Sequence, residues 1–268
     1  MTPITGLDLT GFTEREPGVW TDAAGLVLSV HFFPLVPDLP APLHETERLG
    51  AGLAQGVAAA GGGLIEAVPG AVDGVPALRQ LVKMPLSSRP GQAFLGTWTI
   101  PRAGCSTVLK VQAAEGATTG MREAMIMAQV GPADYFRPHP YVGGQLGGLP
   151  YHVGDHEQWD ARFPDHPLTL VRATLNRITP TVTLDERFKA LPPFTGPAAQ
   201  QAPQAPQQHP QAPQQHPQAP HGHQQYPQQY PQAPQMPQAP HPSAPQPPYA
   251  PQAPQTPPRR GWFRRSNG

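Results

Sequence analysis

The sequence predicts an α+β fold, with helices packed on an antiparallel sheet, and three observations lead there. First, Gln92 to Ala114 alternates with a period of two in β-branched and aromatic residues. Phe94, Gly96, Trp98 and Ile100 oppose Leu95, Thr97 and Thr99, and Thr107, Leu109, Val111 and Ala113 oppose Val108, Lys110, Gln112 and Ala114. That is the pattern of two half-buried strands. Second, Leu49, Leu53, Val57 and Ala60, and later Leu168, Val171, Leu175 and Ile178, recur at helical spacing. Third, the strand-like runs cluster together while the helical stretches stand before and after them, the order of an α+β domain.

In chain order, residues up to about Thr13 read as a lead-in. Gly18–Asp22 and Leu26–Phe33 form a hairpin across Ala23-Ala24-Gly25, with His31 a structural side chain on its more polar face. Pro34 to Pro42 contains four prolines and is a loop. Glu45 to Ala60 is a helix with acids near its start, where the helix dipole favours them. Its three internal glycines each cost about 1 kcal/mol in helicity, which predicts close packing of this helix on the sheet. Gly61-Gly62-Gly63 ends it.

Leu64–Val68 then reads as a short strand, Pro69–Gly74 as a turn, and Val75–Met84 as a longer strand with Leu78, Val82 and Met84 on one face. Pro101-Arg102-Ala103-Gly104 connects the central hairpin. A second helix opens near Thr119, with Met121, Ala124, Met125 and Ala128 as its core face. Gly131–Gly154 is a long irregular stretch, either functional or loosely packed cover. Asp165 caps a third helix that has Pro167 in its first turn, and Thr179-Pro180 breaks it. Thr181–Leu184 is a short strand or extension, and Leu191-Pro192-Pro193 closes the domain.

Composition divides the chain into 1–194, a globular domain; 195–258, a Pro/Gln/Ala/His-rich linker; and 259–268, a basic and aromatic tip. Gly196 to Pro258 has no Lys, Arg, Asp or Glu. Too few apolar side chains remain there to offset the entropy of ordering, so the tail is expected to be disordered. Gln204–Pro210 repeats as Gln211–Pro217, and the local preference is polyproline II. The histidines at 209, 216, 221, 223 and 241 read as spacer residues.

All 18 acidic residues and 14 of the 18 basic ones precede Leu191, giving the domain a net charge of −4. Nucleic acid is therefore not expected as a partner, since phosphate binding needs a basic face. Cys105 is the lone cysteine; it cannot make an internal disulfide and reads as small and packed. The first residues show no basic, apolar leader and no window is long and apolar enough to span a bilayer, so the expected compartment is cytoplasmic.

The order hairpin, helix, antiparallel run of about four strands, helix resembles the PsbP-like fold over about Gly18 to Val130. That resemblance implies a non-enzymatic role, since members of the fold are mostly accessory subunits, transport cofactors and envelope lipoproteins. The chain lacks the lipidation cysteine of the lipoprotein members, residues from Pro132 onward have no placed counterpart, and no binding residue is transferred.

For chemistry of its own, the strongest stretch is Tyr151-His152-Val153-Gly154-Asp155-His156. In a helix, His152, Asp155 and His156 would share a face, a metal-ligand spacing reminiscent of H-x-x-E-H, with His139 and His166 available to complete a site. Gly154 and the preceding Leu149-Pro150 argue against a rigid helix, and the favoured reading is a solvated loop. No nucleophile elbow, phosphate-binding loop or dinucleotide fingerprint occurs, and no cofactor is expected.

The sequence thus points to a non-enzymatic binding or adaptor protein, with an unknown protein partner or an anionic membrane surface engaged by Arg259, Arg260, Trp262, Phe263, Arg264 and Arg265. The alternative is a small hydrolase or metal-dependent enzyme built on residues 135–166.

Overall fold

The computed structural model describes residues 2–144 and 146–197. The expected linker beyond residue 197 and the tip residues Arg259 to Arg265 lie outside the described residues. Among the described residues, nine strands and five α-helices follow one another as β1 (Ile4–Gly6), β2 (Phe12–Glu16), β3 (Val19–Asp22), β4 (Val27–Phe33), α1 (Thr46–Ala59), β5 (Gly63–Val72), β6 (Val75–Pro85), β7 (Gln92–Arg102), β8 (Cys105–Ala114), α2 (Met121–Val130), α3 (Pro132–Tyr135), α4 (Pro167–Ile178), β9 (Thr183–Leu184) and α5 (Glu186–Lys189). Seven strands form one antiparallel sheet in the order β2-β3-β4-β8-β7-β6-β5, and β1 pairs with β9 in a small second sheet. The predicted α+β class is the observed one: α4 crosses one face of the sheet over β7 and β8, and α1 lies against β5.

The alternation in the central hairpin sets the core. Trp98 lies opposite Leu109, Gly96 opposite Val111 and Phe94 opposite Ala113. These residues and Ile100 pack with Val171 and Leu175 of α4. The close approach belongs to Gly96: a Cβ there would stand 2.5 Å from Leu175 Cδ1 and 2.6 Å from Val171 Cγ1. The glycines of α1 do not serve this purpose. Gly50 faces the Tyr141 ring and Gly52 faces Pro40, so they fit the helix to covering loops rather than to the sheet. A smaller core of Leu49, Ala54, Leu64, Ala67 and Leu78 fills the space beneath α1.

Several local expectations are corrected. The N-terminal stretch is no lead-in: β1 and β2 are both strands, and β2 pairs with β3. β5 continues through Pro69 to Val72, and only Asp73 and Gly74 turn the chain, at φ of 47° and 76°. Positive φ at both positions is what a two-residue hairpin requires. A proline is tolerated inside β5 because this strand is the edge of the sheet and Pro69 has no N–H to leave unpaired.

The β7–β8 connection is likewise Ala103-Gly104 alone, because Pro101 and Arg102 pair with Ser106 and Cys105. His166, not Asp165, caps α4: its side chain accepts a hydrogen bond from the Leu168 N–H.

The predicted core face of α2 is reversed. Met121 and Met125 are exposed, as are Ala124 and Ala128, whereas Arg122 and Ile126 are buried. The reason is the inward-directed guanidinium of Arg122, described below, which fixes the rotation of the helix.

Candidate functional site

Residues 131–166 carry most of the side chains suited to chemistry, and the structure places them against one end of the sheet. Lys83 projects from β6 on the same face as Phe94, its cross-strand neighbour. Its side chain is 1% exposed, and the ammonium donates to Asp155 Oδ1 at 2.8 Å, Asp155 Oδ2 at 2.7 Å and His152 Nε2 at 3.0 Å. The His152 backbone N–H donates to Asp155 Oδ2 at 3.0 Å across a short 3-10 turn, Val153–Asp155. The Tyr135 ring stacks on His152, with centroids 4.8 Å apart.

Burial lowers the pKa of the Lys83 ammonium, and the Asp155 carboxylate opposes that shift. Burial holds His152 at about 4, so its imidazole is neutral near pH 7 and suited to accept from Lys83. Burial raises the Tyr135 phenol well above its ordinary value, leaving it protonated.

A second set of contacts fixes the same segment to the helices. Arg122 Nε donates to the Gly154 carbonyl at 3.0 Å, Nη1 to Thr169 Oγ1 at 2.9 Å, and Nη2 to Asp160 Oδ1 at 2.8 Å and the His156 carbonyl at 3.2 Å. Arg172 grips Asp160 through both carboxylate oxygens, at 3.0 and 2.9 Å, and donates to the Asp155 carbonyl at 2.6 Å. Arginine suits this task because its planar donors satisfy several acceptors at once.

The expected solvated loop is therefore a buried, hydrogen-bonded cover. His152 is 6% exposed and Asp155 2%. His156 is half-buried, its ring against Tyr151. His152 and Asp155 come together as their spacing suggests, but the Lys83 ammonium stands between them where a metal cation would. His139 lies elsewhere, its Nε2 3.0 Å from the Leu64 carbonyl. Tyr141 Oη, in turn, accepts from the Ala67 N–H at 2.8 Å and donates to the Ala67 carbonyl at 3.1 Å. These two side chains occupy edge positions of β5.

His166 takes a different position. Its Nε2 points between Glu115 and Glu123, 3.9 Å from Oε1 of each. Burial and the Arg122 charge hold its pKa at about 4, while burial and the neighbouring Glu115 raise that of Glu123. Glu115 and His166 line a cleft of about 430 Å³ that is walled in part by Leu26, Met121 and Leu170.

Elsewhere, exposed apolar side chains come close together in sequence at two places, with Val68, Phe136 and Leu191 exposed singly. Phe32, Phe33, Leu35 and Val36 are all exposed at the end of β4, Leu35 by 69%. Met121, Ala124, Met125 and Ala128 form an exposed stripe on α2. His31 supports the first patch from behind, its Nε2 2.9 Å from Ser29 Oγ and its ring stacked on Phe33. Cys105 is buried, which raises its thiol pKa.

Sequence reasoning missed Lys83, Arg122, Arg172, Glu115 and Glu123. For Lys83 a signal exists: it occupies a core-parity position of an alternating strand. For Arg122 there is none nearby, since its acceptors lie 32 to 47 residues further along the chain.

Comparison with protein-family models and with curated proteins finds no match for this chain. Among the described residues, no helix is long and apolar enough to cross a membrane.

Proposed function

We propose that this chain is a non-enzymatic binding or adaptor protein: a folded α+β domain that presents an apolar contact surface, joined through the Pro/Gln-rich segment to a docking tip at Arg259–Arg265. The observation that carries the reading is the run of four exposed apolar side chains within five residues, Phe32, Phe33, Leu35 and Val36. Isolated exposed apolar residues are ordinary, whereas four so close in sequence at one strand end suit a contact surface. The resemblance of element order to the PsbP-like fold supports the same reading, as does the net charge of −4 over residues 1–190, which disfavours a phosphate backbone as partner. The reading places the protein in the cytoplasm, which suits a chain with one cysteine and hence no internal disulfide.

The rival, a hydrolase or metal-dependent enzyme built on residues 135–166, has less support. Its best candidates, His152 and Asp155, are buried and engaged by Lys83.

A photo-crosslinking residue at Leu35 tests the surface, with one at exposed Glu157 as the control. A partner captured at position 35, not at 157, and lost in Phe33→Ser fits the proposal; equal capture at both positions refutes it. The tip is tested separately. Full-length protein should sediment with anionic vesicles at low salt and be released at high salt, because each Arg near such a surface contributes about 1 kcal/mol. Absence of sedimentation at low salt leaves a protein as the tip's partner.

A further inference from the structure

We infer that His166, Glu115 and Glu123 bind a divalent transition-metal ion of the zinc or manganese kind, a property beyond the binding role proposed above. One atom from each side chain falls within a span of 4.8 Å. An ion held at about 2.1 Å from each ligand fits this span once the side chains close by a few tenths of an ångström.

The second line of evidence is the state of the ligand atoms. The His166 side chain is only 10% exposed, and its Nε2 has no hydrogen-bond partner although it faces two carboxylates. Oε2 of Glu123 is likewise buried without a partner. Buried polar atoms are almost always satisfied, and an unpartnered Nε2 aimed between two carboxylates indicates a missing guest.

The surroundings prepare the site. Glu115 is held in place: its Oε2 accepts from the Gln92 N–H at 2.8 Å and Thr119 Oγ1 at 2.6 Å, and its Oε1 from the Gly120 N–H at 2.9 Å. Such outer contacts orient a metal-ligating carboxylate. The neighbouring cations are already engaged, Lys83 by Asp155 and both Arg122 and Arg172 by Asp160. Two carboxylates and an imidazole then face one point, a mixed donor set that can take a divalent ion. The mixed nitrogen and oxygen donor set suits zinc or manganese better than calcium, which takes six to eight oxygens.

In the metal-free protein, Nδ1 of His166 accepts from the Leu168 N–H, which places the ring proton on Nε2. Ion binding moves that proton to Nδ1 and exchanges the cap bond for a metal–nitrogen bond. The cleft beside Glu115 and His166 gives the ion a route in and leaves its remaining positions to water.

Thermal unfolding of the full-length chain with added Zn²⁺ or Mn²⁺ tests this. The ion should raise Tm, and Glu123→Gln and His166→Asn should each weaken apparent affinity tenfold or more. Asn retains an acceptor suited to the helix cap, so loss of affinity in that variant reports the ligand rather than the cap. Unchanged Tm with both ions, or an undiminished shift in both variants, overturns the proposal. Paramagnetic broadening by Mn²⁺ in the parent protein gives an answer that needs no variant. Amide signals of residues 115, 123 and 166 should broaden first, and broadening confined to other positions overturns the assignment.

Discussion

The ammonium of Lys83 directs three N–H bonds at Asp155 Oδ1, Asp155 Oδ2 and His152 Nε2, with the lysine side chain and the carboxylate each 1% exposed. An ion pair this deep is stable only because every donor has an acceptor; removing one partner strands a buried charge.

Asp155→Ala should therefore destabilise the fold by about 3–5 kcal/mol in urea unfolding. Adding Lys83→Met to that variant should restore part of the loss, because the stranded charge is gone. Equal or greater damage in the double variant would show that the pair's role lies elsewhere.

His152 makes stability depend on pH. Its folded pKa of about 4 lies below the ordinary 6.5, so the unfolded chain binds a proton more readily throughout that window. The stability it supports is complete above pH 6.5 and falls as pH drops towards 4, at roughly 1.4 kcal/mol per pH unit. Glu123, whose pKa is raised, contributes with the opposite sign above its ordinary value. The slope of unfolding free energy between pH 6.5 and 4 should therefore be shallower in His152→Gln than in the parent. Parallel slopes would show that His152 takes up its proton without cost.

Trp98 joins the main core to the end of α4, where its Nε1 donates to Thr179 Oγ1 at 2.8 Å. Trp98→Ala should cost about 3–5 kcal/mol, enough to unfold a domain of ordinary stability. Thr97→Ser and Thr99→Ser, on the opposite face of the strand, should stay within about 1 kcal/mol of the parent in thermal unfolding, near the small end of single-substitution effects.

On α2, Met121→Gln and Met125→Gln should each leave stability within about 0.5 kcal/mol, as surface changes do. Ile126→Ala should cost about 2–5 kcal/mol. If the methionine changes were the damaging ones in chemical denaturation, the helix would be rotated from the orientation described.

The parts legible in the sequence are those governed by local periodicity. Phe94, Trp98 and Ile100 on one side of β7, and Leu168, Val171, Leu175 and Ile178 on one side of α4, are where alternation and helical spacing put them. Periodicity misled where a polar group outweighed it. On α2 the apolar stripe faces outward because Arg122 has acceptors to satisfy in residues 154–169, contacts no local pattern encodes. Proline misled at β5, where position 69 reads as a break until its strand is known to be an edge. His152 and Asp155 were found by spacing, but their burial depends on Lys83, a partner more than sixty residues away.

The hydroxyl of Tyr141 on both backbone groups of Ala67, with His139 beside it on Leu64, has a consequence for self-assembly. A sheet polymerises only if it can recruit a new strand at each end. Here one end is occupied by the chain's own side chains and carries Pro69, which has no hydrogen to offer. The other is β2, whose Glu14, Arg15 and Glu16 are exposed and charged. Strand addition is therefore opposed at both ends, at β5 around Leu64 and Ala67 while residues 139–141 stay in place, and at β2 by its exposed charges.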